Sequence, residues 1–298
     1  MSAHTDLRAI QATHICNSGT MTAVPSPIVP ANLSLIERID AYLDQAPRSG
    51  ADAIQQGPFT LFVGKADGWR YYARPLRPGQ RDFTAEDVQL LRAKQRAIDV
   101  PETIEAIVEI APSLPAACAA AGLKVESLPV LVHHESVAVA VPDGIRVRRL
   151  DADDPAIKAH SVVAQLGFSS PGTAPADVGA TQRDEALDLR DNKLDDFLRS
   201  RVSNAQTVVV VAEDEHGVLA TGAHNPVGDA TEIVGVATLP SARRRGLGAV
   251  VTNTLVADAL RRGISLVLLS AGSDEVARVY ERVGFRRVAT ALAAEPNE

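Results

Sequence analysis

The sequence predicts an α/β (α+β) protein with a mixed central sheet flanked by helices. Three observations predict it. In the second half, strand-like runs are followed by the succession helix, strand, helix, strand, the pattern of a sheet with helices on both faces. "ISLVLLSAG" carries a continuous apolar run, as a strand buried on both faces does. Hydrophobic residues make up 46% of the 298 residues but aromatics only 4%, so the core must be built from Ala, Val, Leu and Ile.

The elements follow in order. Residues 1 to about 30 have no periodicity, and "SGTMTAVPSPIVPANLS" reads as a flexible leader in which Met21 is an alternative start. "LSLIERIDAYLDQAPR" sets Leu35, Ile36, Ile39 and Leu43 at helical spacing behind Ser34 as N-cap. "PFTLFVG" and "WRYYARP" read as strands around a turn at "KADG". "TAEDVQLLRAKQRAI" is a helix capped by Thr84, with Glu86 and Asp87 in its first turn. An Ala-rich helix from Ser113 ends at Gly122, and "LKVESLPVLVHH" returns as a strand. The pattern then loosens, which divides the chain into an N-terminal domain, 31–140, and a second domain, 145–298.

The second domain starts with the strand "IRVRRL" and the helix "DPAIKAHSVVAQLGF". A Gly/Pro/Ser loop, Ser169 to Ala180, is of the kind that lines a site. "DEALDLRDNKLDDFLRSRVSN" reads as one polar helix. Two strands turn at His216 and Gly217, and "ATEIVGVATLP" is a third. "GLGAVVTNTLVADALRRG" is a helix with Leu247, Val250, Val251, Leu255 and Leu260 on one side. "SDEVARVYERVG" and "FRRVAT" close the chain as helix and strand.

Composition narrows the function. The formal charge of −7 gives no prior for nucleic-acid binding, yet arginines cluster at 243–245 and at 286–287. A local basic patch on an acidic protein suits a small anionic ligand. The cysteines, Cys16 and Cys118, have no metal-ligand or disulfide spacing, so no metal is expected. No apolar run approaches the roughly 20 residues of a membrane span, and no secretory leader is evident. These features point to a cytoplasmic protein with reduced thiols.

The stretch between the third strand and its helix, "ATLPSARRRGLGAVV", carries the chemistry. A helix N-terminus offers unpaired N–H groups and partial positive charge, and glycines there let a ligand approach the backbone. Together they form an anion cradle. Pro240 stops the strand ladder, and Arg243, Arg244 and Arg245 add charge. The spacing excludes a P-loop and a Rossmann loop: there is no Gly-Lys-Ser/Thr ending, and Val251 stands where a third glycine would be.

Pro240-x-x-Arg243-x-x-Gly246-x-Gly248 resembles the pyrophosphate loop of the GNAT acyl-CoA N-acyltransferase family. About thirty residues on, Tyr280-x-x-x-Gly284-Phe285 resembles the family's second motif, with the buried strand between them. The resemblance covers residues 145–290 and implies acetyl-CoA as acyl donor and the primary amine of a small molecule as acceptor. It implies that Val236, Ala237 and Thr238 hold the pantetheine arm, and that N–H groups of Arg244, Arg245, Gly246, Leu247, Gly248 and Ala249 bind the pyrophosphate. Tyr280 matches the general acid. Ser273 stands where the family often has Asn, so its cofactor contact is a departure. For the base, Glu232 is first; period-2 alternation puts it on one face with Val234 and Val236. His224 is the second candidate, and Asp229 reads as a turn residue.

The first half resembles the family faintly and lacks the Arg-x-x-Gly-x-Gly loop, which implies a tandem protein with a degenerate N-terminal repeat. An unrelated N-terminal α/β domain is the alternative. Two other functions compete: an acyltransferase fed by aminoacyl-tRNA, disfavoured by the acidic charge, and a non-catalytic acyl-CoA-binding regulatory domain. The sequence leaves a homodimer open and names no acceptor.

Overall fold

The computed structural model describes residues 34–65, 71–77, 82–170, 172–189 and 193–297. The leader, Cys16, Met21 and most of the "KADG" turn lie outside them. The described residues divide into two compact units: Leu131–Arg287, and residues 34–130 together with 288–297. The division therefore falls inside strands, not in the loosened stretch at 140–145. The C-terminal residues complete the N-terminal unit because they pair there.

The N-terminal unit begins with helix α1 (Leu35–Gln45), closed by the expected Ser34 cap and completed by Glu37 as a capping box. Strands β1 (Ala51–Gln56), β2 (Phe59–Gly64) and β3 (Ala73–Pro75) pair antiparallel in turn. Helix α2 (Ala85–Ala97) leads to β4 (Ile104–Ile107), which lies parallel to β3. Helix α3 (Leu114–Ala120) leads to β5 (Leu123–His133). The last strand of the chain, β11 (Phe285–Pro296), pairs antiparallel with β4 through Ala291–Ala294. The strand β1 is missing from the sequence reading because "ADAIQQ" has no β-branched run to mark it. Its order comes from the tight turn at Gly57, φ +56°, and from six paired residues on β2. The core is aliphatic around Phe59, Leu61, Leu91, Ile104 and Leu114.

In the C-terminal unit, β6 (Arg146–Arg149) precedes helix α4 (Ala156–Phe168). The single polar helix of the sequence reading is two, α5 (Ala180–Leu189) and α6 (Lys193–Ser203). Strands β7 (Val208–Asp214), β8 (Gly217–Val227) and β9 (Ala230–Thr238) form an antiparallel meander, and β6 pairs antiparallel with β7. Helix α7 (Leu247–Arg261) leads to β10 (Leu266–Ser270), parallel to β9; helix α8 (Asp274–Glu281) leads to β11. Leu247, Val250, Val251, Leu255 and Val256 bury one face of α7, each worth about 1.5–3 kcal/mol. Leu260, expected on that face, is 44% exposed.

The two units share one succession. Two antiparallel pairings, a helix, a parallel strand, a helix and a further strand run through β1–β5 and again through β7–β11. The repeat is thus a property of the pairing pattern.

Gly284 tests the closure of the last helix. Its φ is +93°, and a Cβ there would lie 1.8 Å from the Glu135 carbonyl oxygen. Gly284→Ala should cost about 3 kcal/mol or more, read as a lowered Tm. Gly57→Ala, where φ is +56° and no atom lies within 4 Å of the new Cβ, should cost only about 1 kcal/mol. Equal costs would contradict the contact.

Candidate functional site

The site begins with a β-bulge in β9. Val234 pairs with Ala223 and Ala237 pairs with Thr221, so Gly235 and Val236 together oppose Gly222 alone. Gly235 takes φ +63°, which a residue with a Cβ resists. The bulge inverts the faces of the strand. His224 bonds Thr231 and Asp258 of α7, so Thr231, with Ile233 two residues on, faces α7. Beyond the bulge Val236 and Thr238 also face α7, 3.9 and 3.7 Å from where a Cβ on Gly248 would sit. Ala237 turns the other way, against Gly167 of α4. Glu232 and Val234 precede the bulge on α4's side. Val236 therefore does not share a face with Glu232, as plain alternation predicted; one inserted residue reverses it.

The bulge lies where β9 and β10 part. Their parallel pairing covers Leu266–Leu268 against Ala230–Glu232 and ends there, although β9 runs on to Thr238. Two neighbouring parallel strands that stop pairing leave a wedge, bounded on one side by the backbone of residues 233–238.

The loop after β9 opens at the mouth of that wedge. Pro240–Ala242 make a single 3-10 turn, and Arg243 returns to extended backbone. Arg244 then takes φ +66° and Gly246 φ +79°. A non-glycine residue held there stores on the order of 1 kcal/mol or more of strain. Gly246 is the N-cap of α7 and offers no side-chain cap. Among the described residues no backbone acceptor takes the N–H groups of residues 244–249; the first helical bond runs from Val250 N to Gly246 O. The first turn of α7 carries no acidic residue. This is a concave row of donors at the positive end of a 15-residue helix.

The corresponding helix of the N-terminal unit is closed. Thr84 Oγ1 accepts from Asp87 N at 3.2 Å, and Asp87 Oδ2 accepts from Thr84 N at 3.0 Å. Glu86 and Asp87 also place negative charge at that terminus. An anion would meet occupied donors and repulsion.

The remaining expected residues sort by environment. Arg244 and Arg245 are exposed beside the donor row. Arg243 is not aimed at it: its Nη1 donates to Ala174 O at 3.0 Å and its Nη2 to Gly167 O and Ser170 O at 2.8 and 2.6 Å. Ser273 caps α8, its hydroxyl accepting from Val276 N at 3.2 Å. Tyr280 packs on the core of the C-terminal unit, its ring 6.1 Å from that of Phe285. Burial pushes its phenol up to about 12, so it stays protonated at neutral pH. Glu232 is half-buried, with Ser270 Oγ 3.5 Å from Oε1.

His224 is fully buried. Its Nδ1 meets Thr231 Oγ1 at 2.9 Å and its Nε2 meets Asp258 Oδ2 at 3.1 Å, and Asp258 also takes Arg262 Nε at 2.5 Å. Both ring nitrogens are engaged inside the unit, so no amine reaches them. The sequence placed His224 at a strand end; the structure places it midway between β9 and α7. Desolvation holds its pKa below the ordinary histidine value, against the pull of Asp258.

His160 of α4 is a site residue the sequence did not single out. Its Nδ1 bonds Thr221 Oγ1, the partner of Ala237 across the bulge. A histidine on the apolar face of a helix that packs over a strand end was the available signal.

Comparisons with known proteins bear on the fold. Residues 209–293 match the family model described as FR47-like protein. A GCN5-related N-acetyltransferase from Kribbella flavida superposes with a TM-score of 0.67 at 23% identity, over 90% of this chain and 98% of that one. A tandem GNAT protein from the clavulanic acid biosynthesis pathway does so with a TM-score of 0.53 at 19% identity, covering 91% of each chain. A GCN5-related N-acetyltransferase from Sphaerobacter thermophilus gives a TM-score of 0.53 at 16% identity, over 88% of this chain and 90% of that one. No curated protein matches the sequence. These likenesses show the fold over 88–91% of the chain. Among the described residues no group of three or more His, Cys, Asp or Glu is placed to hold a metal, and no helix is long and apolar enough to cross a membrane.

The buried histidine makes a pH prediction. A neutral His224 in the folded state takes up its proton less readily than in the unfolded chain. Acid therefore favours unfolding, and stability is lost as pH falls through about 6.5 and below. Thermal melts between neutral and mildly acid pH should show this loss. His224→Gln should flatten it; an unchanged slope would contradict the assignment.

Proposed function

We propose that this chain, whose fold is that of the GCN5-related N-acetyltransferases, transfers an acetyl group from acetyl-CoA to the primary amine of a small molecule. The observation that carries the reading is the open donor row of residues 244–249 at the mouth of the β9/β10 wedge. The fit is supported by Gly248. A Cβ there would make only ordinary contacts, at 3.7 and 3.9 Å, so the protein's own packing does not require glycine. Close approach of a ligand would.

Acetyl-CoA, when bound, supplies the acyl group as a thioester. The N–H groups of residues 244–249 hold its pyrophosphate, with Arg244 and Arg245 beside them. The backbone of Val236, Ala237 and Thr238 lies along the wedge to hold the pantetheine arm and polarise the carbonyl. Ser273 accepts one cap bond and keeps its hydroxyl proton available to donate to the cofactor. The attacking amine must be neutral, and its nitrogen loses a proton as the C–N bond forms and the C–S bond breaks. Glu232, on the face toward α4, takes that proton directly or through water. Tyr280, kept protonated by burial, donates toward the leaving sulfur and gives up its proton as the C–S bond breaks; the raised pKa keeps the proton in place but makes the phenol a weaker acid than an ordinary tyrosine. His224 has no part in these steps.

The test is release of free thiol from acetyl-CoA across a panel of primary amines. Tyr280→Phe should lower the rate about 100-fold and leave acetyl-CoA affinity within about threefold. An unchanged rate would assign Tyr280 to packing alone. Gly248→Ala should leave Tm unchanged or raise it, since Ala is the better helix former by about 1 kcal/mol. It should weaken acetyl-CoA binding at least about tenfold, 1.4 kcal/mol. Full affinity in that variant would contradict the cradle.

A further inference from the structure

The Arg243 contacts lead away from the cofactor. Gly167 and Ser170 lie at the C-terminal end of α4, which closes at Phe168 with Ser169 as cap. The last carbonyls of a helix lack intrahelical donors and carry partial negative charge. The Arg243 fork takes one of them, Gly167 O, together with Ser170 O just past the cap, and reaches Ala174 O in the following loop. That loop is laced to the same strand end twice more: Ala176 N donates to Pro240 O at 3.2 Å, and Ser241 N donates to Val178 O at 3.0 Å. Thr173 Oγ1 bonds Glu275 of α8. The packing is close throughout. A Cβ on Gly167 would lie 2.9 Å from Ala237 Cβ, and one on Gly179 would lie 2.5 Å from Ser241 Oγ.

Residues 237–243 are therefore a two-sided element. One side, through Thr238, meets α7; the other carries the end of α4 and the segment 172–179. Phe168, 58% exposed, stands at that second side.

We propose that Arg243 is a positioning residue for the acceptor side: it fastens the α4–α5 segment to the cofactor loop, so that an anion bound at the α7 N-terminus orders the segment against which the acceptor docks. This rests on the proposed acetyl-CoA site.

Hydrogen exchange on the full chain, with and without free CoA, reads the coupling. In the wild type, CoA should slow exchange of the amides at 172–179. Arg243→Met should still bind CoA within about threefold, under 1 kcal/mol, and should lose that slowing. Arg243→Lys, which keeps the charge and fits any fold concern, should recover CoA binding fully and the slowing only in part. Loss of CoA binding in both variants with 172–179 unchanged would make Arg243 a phosphate ligand and overturn the proposal. Retention of the slowing in Arg243→Met would overturn it equally. If the wild type binds no CoA, the acetyl-CoA reading fails and the free protein decides the fastening alone. Arg243→Met must then speed exchange at 172–179 at least about tenfold while α7 is unchanged; no such change would overturn it.

Discussion

One inserted residue in β9 organises the C-terminal unit. Without the bulge at Gly235 and Val236, alternation would carry Glu232, Val234 and Val236 along a single face. With it, Glu232 stays on α4's side while Val236 and Thr238 turn toward α7. The same irregularity coincides with the end of β9/β10 pairing at Glu232 and Leu268. Strand, wedge and loop follow from it, because the chain leaves β9 already aimed at the N-terminus of α7. Arg244 holds a positive φ in the exposed turn that follows, between the packed residues 237–243 and the first turn of α7.

The two halves of the chain run through the same succession of strands and helices and differ at one detail of sequence. Ahead of α2 stands a Thr with an Asp three residues on, which saturates the helix terminus. Ahead of α7 stands a glycine with no capping side chain. A capped terminus is worth about 1 kcal/mol in stability. The C-terminal unit forgoes it at α7 and keeps the donors open. That contrast, more than the shared topology, decides which half can take a phosphate.

Much of this was legible in the sequence. Pro240, Gly246 and Gly248 marked the loop: Gly246 takes a positive φ, and Gly248 adds no side chain to the first turn of α7. Thr84, Asp87 and Ser34 marked their caps. The bulge was not read, although a glycine inside a strand pattern is its usual sign. His224 looked like a strand-end residue because burial depends on what packs above it, and α7 lies 34 residues away at Asp258. Arg243 looked like its neighbours because composition does not tell which of three consecutive arginines points inward. The return of the last strand to the N-terminal unit was not read for a related reason: pairing of β11 with β4 joins residues far apart in sequence, and no local pattern records it.

The central claim is that the chain has one open phosphate cradle, in the C-terminal unit. Calorimetric titration of the full chain with CoA tests it most directly. The account predicts saturable binding of one CoA per chain, lost when Gly246 is replaced by Asp. No binding, or two equivalent sites per chain, would contradict it.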